Sequence, residues 1–282
     1  MKTLELFCGT KSFSKVADSM GYETRTLDNN PKFDPTYTMD ILDFDVKMLN
    51  GFKPNIIWAS PPCECFSIAS IRHHWYYDKK TDIRKPKSKA SVIAIRKVEK
   101  AIEIITELNP QFVFIENPRA MLRKLKKGKY SPNTDSAIAQ KDLIPFENKF
   151  VTYCQYGEKI MKPTDIWTNN EEWLRVAKHC KNGDSCHESA PRGSKTGTQG
   201  IKNAELRGVV PPLLIEEILQ HCKHKRALPD LEKKFFKKDS AKEFEVGIDM
   251  PIGKYITVKA NNEKKAIELA KHIIGENNGN KK

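Results

Sequence analysis

The sequence predicts an α/β fold: a doubly wound, mostly parallel sheet with a small appendage at its C-terminal end. Two observations carry this. Short apolar runs alternate with segments of helical spacing through the first 120 residues, the pattern of parallel strands joined by crossover helices. Two of those runs end in a polar tip followed by proline. They are Asn55-Ile56-Ile57-Trp58-Ala59 before Ser60-Pro61-Pro62-Cys63, and Phe112-Val113-Phe114-Ile115 before Glu116-Asn117-Pro118. Reactive groups of open α/β sheets sit at such C-terminal strand ends.

Taken in order, Leu4–Phe7 reads as the first strand, followed by Cys8-Gly9-Thr10 and a helix from about Lys11 to Met20. Tyr22–Leu27 reads as the second strand, ending at Asp28, and a short third strand leads to Asp40. Residues 55–60 form the fourth. Residues 68–90, with His73, His74, Trp75, Tyr76 and Tyr77, read as a long polar and aromatic loop, longer than a simple connection needs. Ser91–Leu108 has helical spacing, with Val92, Ile95, Val98, Ile102 and Ile105 on one face. Residues 112–116 are the fifth strand, and 149–156 and 165–168 two more.

Residues 169–205 are polar and hydrophobically thin, and Pro211-Pro212 opens another helix. A charged linker begins near Arg226. Alternating Phe244, Val246 and Ile248, a turn at 250–253, a strand over 255–260 and a helix over 262–274 then read as a β-β-α appendage. Residues 276–282 read as disordered. The expected units are therefore 1–168, a short segment 169–205, a return to the first unit over 206–225, and an appendage over 240–276.

Composition narrows the function. The chain of 282 residues has 49 Lys+Arg against 36 Asp+Glu, a formal charge of +13, which favours a polyanionic partner. Residues 72–100 hold ten Lys/Arg against three acids, and residues 119–130 hold six and no acid. Both clusters follow a polar strand tip, where they could hold phosphates. No apolar run of about 18 residues predicts a membrane-spanning helix. The N-terminus has no signal-peptide pattern, and seven unevenly spaced cysteines suit reduced thiols. A cytoplasmic protein is expected.

In this order the motifs resemble those of the cytosine carbon-5 DNA methyltransferases, most closely the small phage and mobile-element enzymes of bacterial hosts. The resemblance covers roughly residues 3–222. Leu4-Glu5-Leu6-Phe7-Cys8-Gly9 is similar to the first cofactor motif. Ser60-Pro61-Pro62-Cys63 with Phe66-Ser67 is similar to the nucleophile motif, and Glu116-Asn117-Pro118 to the Glu-Asn-Pro/Val motif. Tyr156-Gly157 through Lys162-Pro163-Thr164, and Arg207–Leu213, are similar to the later ones.

The resemblance implies a Rossmann-like methyltransferase, restriction-modification chemistry, and S-adenosylmethionine as cofactor. Phe7, Gly9, Asp28, Asp40, Ile41, Pro61 and Ser67 would hold that cofactor. Asp28 would take the ribose and Asp40 the adenine amino group. Cys63 would be the nucleophile at carbon 6 and Glu116 the partner of ring nitrogen 3. Ser60, Pro62, Asn117, Lys162, Thr164 and Arg72 are substrate candidates.

Double-stranded DNA is the expected partner. Alternatives are RNA cytosine-5 methylation and a catalytically weak DNA-binding relative. Two departures stand out. Lys11-Ser12-Phe13 replaces further glycine in the first motif, and Lys162 and Thr164 stand where family members carry arginines. The segment 169–205 is short for target recognition, so a short or loose recognition site is expected. No metal is expected. His179, Cys180, Cys186 and His187 are the only zinc-like group, and their spacing is not that of a standard finger.

Overall fold

The computed structural model describes residues 1–79, 83–125, 142–188, 201, 203–223, 242–246 and 256–260. By compactness the chain separates into Met1–Leu228 and Pro229–Lys282. The first unit is built on a seven-stranded sheet of β1 (Lys2–Leu6), β2 (Glu23–Asp28), β3 (Tyr37–Thr38), β4 (Ile56–Ala59), β7 (Phe112–Pro118), β8 (Glu147–Thr152) and β9 (Pro163–Thr168). Its order is β3-β2-β1-β4-β7-β9-β8. The first five strands of that order pair in parallel, while β9 runs antiparallel to both β7 and β8. Strand order reverses between β1 and β4, the switch point at which such sheets open a crevice.

Strands covered on both faces need continuous apolar sequence, and β4 and β7 have it. On one face Ile56, Trp58, Phe112 and Phe114 pack under α1 (Ser12–Ser19), α4 (Glu171–Val176) and α6 (Pro212–His221). Trp58 stacks on Phe13 at 5.2 Å with the planes 12° apart, and Phe114 meets Trp173 edge-on at 6.0 Å. The long helix α3 (Lys89–Leu108) joins β4 to β7 and buries Ile95, Val98, Ala101, Ile104 and Ile105. Its first turn is fixed by a capping box between Ser88 and Ser91.

The segment 68–90 is not the loop expected. It contains α2 (Ile71–His74) and an antiparallel hairpin of β5 (Trp75–Asp78) and β6 (Ile83–Pro86). Trp75 explains the order: its ring is buried, and Nε1 donates to the Cys65 carbonyl at 2.6 Å. Residues 169–176 likewise begin inside the core, because α4 places Trp173 and Leu174 there. A helix α5 (Ala204–Gly208) precedes α6. In the second unit β10 (Lys242–Val246) pairs antiparallel with β11 (Ile256–Ala260). The expected turn at 250–253, helix at 262–274 and tail at 276–282 lie outside the described residues. No helix among the described residues is long and apolar enough to cross a membrane.

Candidate active site at the strand tips

The C-terminal ends of the five parallel strands gather most of the residues singled out in the sequence. At the β1 tip, Phe7 and Gly9 both hold positive φ, 58° and 45°. Such a φ is uncommon for an aromatic residue. The turn is pinned on both sides: Cys8 N–H donates to the Leu27 carbonyl at 3.1 Å, and Gly9 N–H to Asp28 Oδ2 at 2.9 Å. The other Asp28 oxygen accepts from Asn30 N–H at 2.9 Å. No atom lies within 4 Å of where a Cβ on Gly9 would stand, so the turn faces open space.

Asp40 follows β3, but its carboxylate is already engaged. Lys97 of α3 donates to Oδ2 at 2.6 Å and Leu42 N–H to Oδ1 at 3.1 Å. Its pKa is lowered by those contacts, which outweigh the opposing cost of burial. Ile41 is buried beside it.

The β4 and β7 tips are tied together. Asn117, fully buried, donates from Nδ2 to the Pro61 carbonyl at 2.8 Å. Pro61 and Pro62 leave no N–H of their own to compete, so this bond fixes the turn that presents Cys63. Ser60 accepts from Trp58 Nε1 at 2.8 Å, and the Cys63 carbonyl accepts from Phe66 and Ser67 N–H, both at 2.9 Å. Asn117 Oδ1 is buried with no hydrogen-bond partner among the described residues, an acceptor left open at the tip.

Glu116 is buried and accepts from Tyr153 Oη at 3.2 Å. Burial first, then the Glu116 charge, push the Tyr153 phenol well above its ordinary pKa, so it stays a donor. Burial also raises the Cys63 thiol, Glu116 adds to that rise, and Lys162 opposes it. Lys162 lies over the Tyr153 ring at 4.6 Å and donates to the Arg207 carbonyl at 2.7 Å. Thr164 is fully buried, opposite Pro118 on one side and Val151 on the other. Arg72 is exposed on α2.

Three functional-looking residues escaped the sequence reading. Glu5 points from β1 to the start of α1 and accepts from Ser14 N–H at 2.9 Å and from the Ser14 hydroxyl. It thereby caps a helix whose own N-cap residue, Lys11, makes no side-chain capping bond. Tyr153 and Asp165 are the others; both depend on the registers of β8 and β9, which no local pattern reveals. Asp165, opposite Asn117, is fully buried, 3.5 Å from Arg123. The zinc-like group also needs correction. Cys180, Cys186 and His187 meet Cys154, whereas His179 packs on Phe150 with ring centroids 4.3 Å apart and planes tilted by 47°.

Fold and site together define a doubly wound α/β protein with a thiol and a carboxylate on adjacent strand tips. Its sequence is 28% identical over 238 residues to the Frog virus 3 protein named "Probable DNA (cytosine-5)-methyltransferase", covering 79% of this chain and all of that one. The resemblance to the cytosine carbon-5 DNA methyltransferases, first carried by short motifs, thus extends over the whole of a viral relative. No family model matches the chain. Similar solved structures include the Entamoeba histolytica methyltransferase EhMeth, with 12% identity and a TM-score of 0.39 over 60% of this chain and 52% of that one. The S. pombe Dnmt2 methyltransferase gives 12% identity and 0.37, over 65% and 57%. The chain spans about half the length of these structures.

Proposed function

We propose that this chain transfers a methyl group from S-adenosylmethionine to carbon 5 of a cytosine in DNA, with Cys63 as covalent nucleophile and Glu116 as its partner. The observation that carries the proposal is the Asn117–Pro61 bond of 2.8 Å, which joins the cysteine turn to the glutamate strand. The viral relative's name supports the reaction class and DNA as the polymer, and the excess of positive charge suits a polyanionic partner.

The β1–β3 tips suit the cofactor in part. The open Gly9 turn admits close approach, and Asp28, holding two backbone N–H groups, keeps further lone pairs for hydroxyls. Asp40 is held by Lys97, so its contact with an adenine amino group would share a carboxylate already paired. When bound, S-adenosylmethionine supplies an electrophilic methyl group.

Cytosine carbon 5 is a poor nucleophile. Cys63 forms a carbon–sulfur bond at carbon 6, which pushes electron density onto carbon 5. Glu116 contacts ring nitrogen 3 and the exocyclic amine and steadies the charge that develops. Carbon 5 would then take the methyl group, the bonding pair of the sulfonium staying on the cofactor's sulfur; loss of the carbon-5 proton to a base would let the carbon–sulfur bond to Cys63 break and return its thiolate. A base stacked in duplex DNA is out of reach, so the target must flip out. Ile68, Tyr76 and Tyr77, on the segment that follows Cys63, are exposed and offer apolar surface.

Mass spectrometry of digested nucleosides tests the proposal. Unmodified DNA, and separately tRNA, is incubated with S-adenosylmethionine and either wild type or Cys63→Ala. 5-Methylcytosine in DNA with wild type alone is the expected result. No modified cytosine in either polymer overturns the proposal, and modification of tRNA alone overturns its choice of substrate.

A further inference from the structure

We infer that Cys154, Cys180, Cys186 and His187 form a structural zinc site that clasps the segment after α4 to the end of β8. The inference is independent of the methyl-transfer reading. The four candidate ligand atoms all lie within 4.8 Å of one another. Cys154 Sγ is 3.3 Å from Cys180 Sγ and 3.8 Å from Cys186 Sγ. His187 Nδ1 is 3.6 Å from Cys180 Sγ and 3.5 Å from Cys186 Sγ. A tetrahedron with zinc–sulfur bonds of ~2.3 Å and a zinc–nitrogen bond of ~2.0 Å has edges of roughly 3.5–3.8 Å. Four pairs of donors therefore already stand near ligand spacing.

Other readings of the cluster fit worse. A disulfide needs sulfurs about 2.05 Å apart, and all the cysteines are free. Thiols are weak hydrogen-bond partners, a poor reason to gather three with an imidazole. Cys154 and Cys180 are buried, and His187 Nε2 is buried with no hydrogen-bond partner among the described residues. The ring is thus placed by what its Nδ1 faces.

Backbone contacts hold the two segments in this register. Cys180 N–H donates to Thr152 Oγ1 at 2.9 Å, Lys178 N–H to Tyr156 Oη at 2.9 Å, and Glu188 N–H to the Lys159 carbonyl at 2.9 Å. Gly183, with φ of 96°, makes the turn that brings Cys186 and His187 back toward Cys180. Three thiolates and one imidazole make a soft tetrahedral set that selects zinc over hard cations. Four protein ligands leave no open position, so the site is structural. Its neighbour in sequence is Tyr153, whose hydroxyl reaches Glu116. The clasp therefore steadies a residue that positions the candidate active site.

The test is metal analysis of the full chain purified without chelator from zinc-supplemented cells. One zinc per chain is expected. Cys154→Ser and His187→Ala should lose it, while His179→Ala should keep it. Cobalt(II) added to metal-free wild type should give the thiolate charge-transfer band and the intense visible bands of a tetrahedral site. Folded wild type without stoichiometric zinc and without a cobalt–thiolate band overturns the inference. So does retention of zinc by Cys154→Ser, or a disulfide between Cys154 and Cys180 found by peptide mapping. The wild-type measurements decide the matter even where a variant fails to fold.

Discussion

Replacing Asn117 with alanine isolates the bond between the two strand tips. The Asn117 side chain is fully buried and its amide is the donor to the Pro61 carbonyl, 2.8 Å away. Alanine leaves that carbonyl without its donor in a site that water does not reach. The cost of an orphaned buried acceptor is about 1–3 kcal/mol. For a unit of this size that lowers the melting temperature by roughly 3–10 °C. The second consequence is geometric. Pro61 and Pro62 restrict φ but do not fix where the turn sits relative to β7; the amide does. Freed of it, Cys63 drifts against Glu116, and misplacement by about 1 Å costs on the order of 100-fold in a positioned reaction. Covalent trapping on DNA containing 5-fluorocytosine reads the step proposed for Cys63. Asn117→Asp serves as a second variant, because it sets a carboxylate oxygen against a carbonyl and should fare worse than alanine. A wild-type melting temperature together with a wild-type trapping rate for Asn117→Ala would refute the reasoning.

Further outcomes follow from neighbouring contacts. Tyr153→Phe removes the donor at 3.2 Å from the buried Glu116 carboxylate and should cost about 1.5–3 kcal/mol in urea denaturation; an unchanged midpoint would show that bond to be idle. Glu116→Gln removes a charge that helps raise the Cys63 thiol, so iodoacetamide should label Cys63 faster near pH 8 while methyl transfer falls. Lys162→Met removes the opposing charge and should slow the same labelling; equal rates in both variants would sever Cys63 from these charges. Burial raises Glu5 from 4.5 to about 7. The folded state then holds this proton more tightly than the unfolded one, and stability is lost as pH rises from about 4.5 to 7, by about 3 kcal/mol. Glu5→Gln keeps the acceptor and removes the titration, so its stability relative to wild type should climb across that window; parallel pH curves would contradict this.

Legibility in the sequence tracked locality. The β4 and β7 tips were readable because each is a single run, an apolar strand followed by proline and a candidate reactive residue, within fewer than ten residues. Alternation in β4 also shows directly in the fold, with Ile56 and Trp58 on the α1 side. The segment 68–90 was misread because its order comes from Trp75, whose indole reaches back to the Cys65 carbonyl. Nothing in an aromatic, basic stretch announces that contact. The ligand cluster was half legible for the same reason. Cys180, Cys186 and His187 are neighbours in sequence, but Cys154 lies just after β8 and is 26 residues away from Cys180. His179 looked like the fourth member by proximity alone, and Phe150 takes its ring instead. Glu5 was hidden inside a motif, its carboxylate capping α1 in place of the unsuited Lys11.

The electrostatics of the strand tips bear on how such a nucleophile is kept in hand. Burial first, then the Glu116 charge and more weakly that of Glu64, disfavour the Cys63 thiolate, while Lys162 and a backbone hydrogen bond work the other way. Lys162 is itself engaged with the Arg207 carbonyl and the Tyr153 ring, so its help to the thiolate is shared. A thiol held protonated is a weak nucleophile and resists oxidation and alkylation. Removing the Glu116 charge would take away the larger of the two carboxylate penalties on the thiolate and leave Lys162 opposed by Glu64 alone among the charges. On the proposed reaction, the group that recognises the base is then also the group whose neutralisation readies the sulfur. On that proposal recognition and activation would be coupled through one carboxylate, with the Asn117 bond to the Pro61 carbonyl tying the β4 and β7 tips together.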